Sequence, residues 1–148
     1  RSVSAALAAS GLPANCLELD LDEQVLEEDS PKLAETLQAL AAQGVRLAID
    51  AFGRGLCSIP RLKRHPLTAL KLDPELVRGV GRKEQDEAIV EAIASMAAPL
   101  GLEVFARGVE NDAQQAFLCA LDCHLQQGAL FGPPMTAAGF KCFLASRT

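Results

Sequence analysis

Charged or amide side chains end five short apolar runs of this 148-residue sequence: Asp20, Asp50, Lys71, Arg107 and Gln127. In parallel α/β folds the carboxyl ends of the strands face one crevice, where the loops converge and chemistry takes place. The edge of the sheet formed by these carboxyl ends is here called the rim. Two carboxylates, a lysine and an amide around the rim suit a divalent cation and a phosphate. A single charged strand end is often only solvated, but five in succession favour a shared site.

Helix-length segments separate the apolar runs, and this alternation predicts βα units with a parallel sheet. The predicted strands are 16–21, 45–50, 68–72, 103–106 and 125–127. The predicted helices are 3–9, 31–42, 83–100, 112–121 and 137–144. Ser30 and Asn111 are predicted N-caps, and Gly44 is a predicted helix stop. A complete eightfold barrel takes about 250 residues, so we expect part of a (β/α) TIM-type barrel without its N-terminal units.

Composition excludes several classes of protein. Hydrophobic residues make up 49% and charged residues 22% of the chain, which suits one globular domain. The net charge of −5 has the wrong sign for binding DNA through its backbone, and no apolar run is long enough for a membrane span. The five cysteines include no CxxC pair, which is typical of buried thiols in a reducing compartment. We therefore expect a cytoplasmic location.

Five segments resemble, in order, the motifs of one family. They are LELDLDE (17–23), GVRLAIDAFGRG (44–55), LKLD (70–73), GLEVFARGVE (101–110) and QQGALFGPP (126–134). These segments look like motifs of the EAL-domain family, which comprises the bacterial cyclic-di-GMP phosphodiesterases and their degenerate relatives. The resemblance implies a (β/α) barrel of about 240–250 residues, of which residues 1–148 would be the C-terminal part. It also implies Mg²⁺ or Mn²⁺ in the active relatives.

The resemblance assigns a role to each matching residue. Asp20 stands where the family has a metal-binding Glu, and Asp50 matches the first Asp of its DDFG motif, a metal ligand. Lys71 matches the lysine that orients the attacking water. Gln127 matches a glutamine that lines the site, and Glu23 matches the glutamate that supports the loop after the next strand.

Two departures change the expected chemistry. Ala51 replaces the second Asp of DDFG, and Arg107 replaces the first Glu of EGVE, whereas Glu110 matches its second Glu. The family supplies four carboxylates and a lysine in this segment, but this chain supplies two carboxylates, a lysine and an arginine. A pocket without net negative charge should not hold two divalent cations, and without them no nucleophilic hydroxide forms near neutral pH. We therefore expect no bound metal, no cofactor and no functional catalytic set.

Three functions are compatible with these residues. The first is a non-catalytic regulatory module in cyclic-di-GMP signalling that acts through protein contacts. The alternative is a receptor that binds cyclic-di-GMP without hydrolysis, with Asp50, Lys71, Arg107 and Gln127 as ligand-binding residues. An active Mg²⁺-dependent phosphodiesterase ranks third, because of the substitutions at Ala51 and Arg107.

Two structural expectations complete the sequence analysis. Five of eight barrel strands would leave two open edges and an uncovered apolar interior, so we expect a homodimer or docking against other domains of a parent chain. With no metal present, Asp20 and Asp50 would repel each other. We expect the Arg107 guanidinium in the vacated metal site, hydrogen-bonded to Asp50, with Asp20 as a second candidate partner.

Overall fold

Five parallel strands form one sheet in the computed structural model, which describes residues 3–27, 30–53, 55 and 59–146. The strands pair in chain order: β1 (Glu18–Asp22), β2 (Arg46–Phe52), β3 (Ala69–Leu72), β4 (Glu103–Arg107) and β5 (Leu125–Gln127). The chain therefore has the predicted α/β architecture of successive βα units. All five predicted strands are present, with ends displaced by up to two residues.

All five predicted helices are present, and the described chain also contains two short ones that were not predicted. The helices are α1 (Val3–Ser10), α2 (Pro31–Ala42), α3 (Ile59–Leu62), α4 (Pro74–Gly79), α5 (Glu84–Ala97), α6 (Asp112–Ala120) and α7 (Ala137–Ala145). The predicted helix 83–100 divides into α5 and a 3₁₀ turn at Ala98–Leu100. Pro99 lies in that turn, where it has no N–H to extend the α-helical ladder. None of the described helices is long and apolar enough to cross a membrane.

The helix caps lie at the positions predicted from the sequence. Asn111 caps α6 as predicted, because its side chain accepts a hydrogen bond from the Gln114 N–H at 3.0 Å. Gly44 follows α2 with φ +90°, as a helix stop requires. Ser30 is the N-cap of α2 as predicted, although its side chain makes no capping hydrogen bond. The backbone carbonyl of Ser30 nevertheless accepts from the Ala34 N–H at 3.2 Å.

The hydrophobic core lies between the sheet and the helices. On the strands it is formed by alternate residues, including Ile49, Leu70 and Ala106, which have no exposed surface. The helices contribute Val77, Val90, Ile93 and Leu118, all at most 6% exposed. This packing favours the register in which these residues face the helices, because a slip of one residue would expose them.

The opposite face of the sheet, here called the inner face, carries charged side chains. Its charged residues on β1 to β4 are Glu18, Asp20, Asp22, Arg46, Asp50, Lys71, Glu103 and Arg107. The apolar side chains of Ala48, Ala69 and Phe105 lie on the same face. On β1 to β4 the expected apolar interior is therefore limited to these three side chains, and two of them, Ala48 and Ala69, are buried. The physical reason is the two-residue period of a strand, which places these charges opposite the buried leucines and isoleucine.

Candidate functional site

The central feature of the rim is an ion pair between β2 and β4. The Arg107 guanidinium Nη1 donates a hydrogen bond to Asp50 Oδ1. β3 lies between these two strands, so the arginine reaches across one strand of the sheet. Both side chains are 36% exposed, which places the pair at the mouth of the inner face. The predicted pairing of Arg107 with Asp50 is confirmed.

A second group of ion pairs surrounds Lys71 on β3. The Lys71 Nζ lies 2.6 Å from Asp20 Oδ1 and 2.9 Å from Glu18 Oε1, both on β1. The same ammonium lies 5.3 Å from the centre of the Phe105 ring, a cation–π distance. Asp20, the second candidate partner of Arg107, thus binds Lys71. With only 13% of its side chain exposed, Lys71 is the most enclosed cation of the two groups.

The sequence analysis missed the residues that continue this group toward the other end of the strands. Arg46 Nε donates to Glu18 Oε2 at 3.2 Å, and Arg46 Nη2 also pairs with Glu103. The signal that could have found them is the strand period, since Glu18 and Arg46 lie two and four residues before Asp20 and Asp50. These ion pairs neutralise charge at the N-terminal ends of the strands, away from the rim. None of their residues belongs to the predicted site.

The ion pairs keep these groups charged at neutral pH. Burial alone would raise the pKa of Asp50, but hydrogen bonds from Arg107 and the Ala51 N–H outweigh it and hold that pKa below its ordinary value. Burial likewise opposes the charge of Lys71, but Asp20 and Glu18 raise its pKa above the ordinary value. The pKa of Glu18 is lowered, since hydrogen bonds from Lys71 and Arg46 outweigh burial.

The remaining predicted residues lie around the same rim. Gln127 is exposed and stands beside Arg107 in the register of β4 and β5. The Glu23 carboxylate packs on Gly55, where an added Cβ would lie 2.6 Å from Glu23 Oε2. Its role in supporting the loop stays a prediction, because residues 54 and 56–58 lie outside the described part of the chain. Glu110 pairs with Arg78 of α4 at 3.2 Å.

Ala51 has an unusual backbone conformation. Its φ of +50° lies in the left-handed region, and the pairing of β2 with β3 shifts register between Ile49 and Phe52. Its N–H donates to Asp50 Oδ1 at 2.9 Å. A non-glycine residue with positive φ is uncommon, and Asp and Asn adopt this conformation more readily than Ala.

The residues present do not fit a divalent metal. Asp50 is bonded to one cation and Asp20 to another, while Ala51 offers no oxygen ligand from its side chain. Among the described residues, no group of three or more His, Cys, Asp or Glu side chains is arranged to hold a metal ion. Cys123 is buried, which raises its pKa to about 11, and it donates to the Val104 carbonyl. Its thiol is therefore a packing group and not a metal ligand.

Sequence comparisons identify similar proteins. The EAL domain model matches residues 1–134. The chain is 40% identical over 139 residues to the cyclic di-GMP phosphodiesterase NbdA of Pseudomonas aeruginosa, covering 94% of this chain and 18% of NbdA. It is 39% identical over 136 residues to the bifunctional diguanylate cyclase/cyclic di-GMP phosphodiesterase MucR of that organism, covering 92% of this chain and 20% of MucR. The chain thus spans about a fifth of the length of these curated relatives.

Solved structures show the same fold. The PaMucR phosphodiesterase in complex with c-di-GMP superposes with a TM-score of 0.88 at 38% identity, over 93% of this chain and 56% of that one. The EAL domain of Mycobacterium smegmatis DcpA gives 0.89 at 32% identity, over 97% and 65% of the two chains. The manganese/cy-diGMP complex of Klebsiella pneumoniae BlrP1 gives 0.79 at 32% identity, over 88% and 33%. With its five parallel βα units, the chain belongs to the EAL-domain family.

Proposed function

We propose that this chain is the C-terminal part of a degenerate EAL domain that acts in cyclic-di-GMP signalling as a regulatory module, through protein contacts and without hydrolysis. The observation that carries the proposal is the Arg107–Asp50 ion pair beside Ala51. Relatives in the same family are named phosphodiesterases, which supports the signalling context.

Loss of hydrolysis follows from the state of the carboxylates. Phosphodiester cleavage by a metal enzyme needs divalent cations that generate a nucleophilic hydroxide and stabilise the developing charge. In this chain Asp50 and Asp20 are each neutralised by a side-chain cation. Neither is therefore a free metal ligand or a free general base. An active phosphodiesterase consequently ranks third among the candidate functions.

The receptor alternative retains one favourable feature and meets one obstacle. Arg107 at the rim has a planar fork that could bind a phosphate in place of Asp50. However, the adjoining cavity of about 540 Å³ is lined by four carboxylates, from Asp22, Glu23, Glu27 and Asp50. Arg107 balances only the charge of Asp50, so the negative charges of Asp22 and Glu27 would repel the phosphodiesters of a cyclic dinucleotide. The regulatory module is therefore the function that the described residues favour.

Calorimetric titration with cyclic-di-GMP, with and without Mg²⁺, separates the three functions. For the regulatory module we expect no saturable heat in either condition. Saturable binding that is independent of Mg²⁺ and lost in Arg107→Ala would establish the receptor instead. Binding that requires Mg²⁺ and is followed by turnover would establish an enzyme. The PaMucR phosphodiesterase, whose structure contains c-di-GMP, is the positive control.

We also propose that the sheet edges are covered by a second copy or by other domains of a parent chain. β1 and β5 each pair with a single neighbour in the described sheet, and open edges favour further strand pairing. On α7, Phe140 and Leu144 are 49% and 51% exposed. We expect light scattering to give a mass above the 15.6 kDa of one chain. A monomer at every concentration, without binding of a hydrophobic dye, would contradict the homodimer.

A further inference from the structure

The backbone at Ala51, on the rim, has a conformation that an alanine side chain does not favour. Ala51 is held at φ +50°, directly after Asp50 and within the irregular pairing of β2 and β3. Alanine gains nothing from the left-handed region, whereas an aspartate adopts it more readily because its short polar side chain can bond locally. A carboxylate at position 51 would therefore suit the existing backbone and would stand beside that of Asp50.

The position of Arg107 is the second feature. Its guanidinium supplies the positive charge that Asp50 requires, since Lys71 lies against Glu18 and Asp20. A glutamate at position 107 would be shorter than arginine. A divalent cation would then replace the guanidinium as the positive charge beside Asp50.

We propose that Arg107 is the built-in counter-cation of a latent divalent-cation site next to Asp50, and that the side chains at positions 51 and 107 keep a metal out of it. The inference rests on the proposed function, in that it explains why we expect the chain as it stands to bind no metal. Carboxylates at both positions would join Asp50 to give three hard oxygen donors. That number is enough for an ion that keeps part of its water shell.

The test is Mn²⁺ binding to the variant A51D/R107E in the absence of nucleotide. Binding is measured by electron paramagnetic resonance, as the loss of the signal of free Mn²⁺. The matched control is A51G/R107Q, which relieves the backbone at position 51 and removes the arginine but adds no carboxylate. We expect A51D/R107E to bind Mn²⁺ at least about tenfold more tightly than the control or the wild type, since added ligand charge strengthens such sites. Mn²⁺ should also raise the melting temperature of this variant alone.

Two results would overturn the proposal. One is wild-type protein that binds Mn²⁺ as tightly as A51D/R107E. The other is a folded A51D/R107E, judged by circular dichroism, that binds no more tightly than A51G/R107Q. If charge repulsion prevents A51D/R107E from folding, A51D/R107Q replaces it, and the same comparison with the control decides. The titration of wild-type protein with cyclic-di-GMP tests the proposed function separately, because no nucleotide enters the Mn²⁺ experiment.

Discussion

The Gly128→Ala variant should lose about 3 kcal/mol or more of its free energy of unfolding, because the added methyl group has no space. A Cβ at Gly128 would lie 2.0 Å from the Val109 carbonyl oxygen and 2.4 Å from the Val109 nitrogen, both backbone atoms. The neighbouring Gln127 carbonyl accepts from the N–H groups of Gly108 and Val109, at 2.8 and 3.1 Å. Moving the chain apart would therefore break the contact between the ends of β4 and β5.

The matched control is Gly139→Ala in α7. There an added Cβ would meet its nearest heavy atoms at 3.4 and 3.6 Å, which are ordinary contacts. This variant should gain about 0.5–1 kcal/mol, the usual helix preference for alanine over glycine. Urea denaturation of both variants measures the difference. Equal stability of Gly128→Ala and wild type would show that the ends of β4 and β5 are not joined as described.

Asp73→Ala should destabilise the protein by about 1–2 kcal/mol, since Asp73 is the N-cap of α4. It is 1% exposed, and its Oδ1 accepts a hydrogen bond from the Glu75 N–H at 2.7 Å. Removing the acceptor leaves that N–H without its cap. Asp73→Asn is the matched control, because asparagine is an equally good N-cap and should retain most of the stability. Denaturant midpoints that coincide for the alanine and asparagine variants would argue against the cap.

The sequence predicts the strands and the rim well because both depend on local pattern. Each strand is a short apolar run, and parallel strands bring their carboxyl ends to one edge, so the meeting of Asp50 with Arg107 could be foreseen. To predict their ion pair, it was enough that the two opposite charges lie on the same face of the sheet. The two-residue period of a strand would also have predicted a charged inner face. The expectation of an apolar interior considered only the apolar residues of each run.

The missed features depend on geometry that no local pattern specifies. α4 is too short for a helical period to be recognised, and only the Asp73-Pro74 pair signals its start. Ser30 has the residue type and the position of an N-cap, but the lack of a hydrogen bond from its side chain could not be seen in the sequence. Lys71 reaches past the small side chain of Ala48, on the strand between, to Asp20 and Glu18. Its choice of partners over Asp50 is thus a property of the folded sheet.

The central claim, that this chain does not hydrolyse cyclic-di-GMP, is tested most directly by product analysis. Purified protein is incubated with cyclic-di-GMP and Mg²⁺ or Mn²⁺, and the linear dinucleotide is measured by chromatography. We predict no linear product above a protein-free blank, with wild type and Asp50→Ala indistinguishable. Linear product that appears only with Mg²⁺ or Mn²⁺, and is lost in Asp50→Ala, would contradict the account.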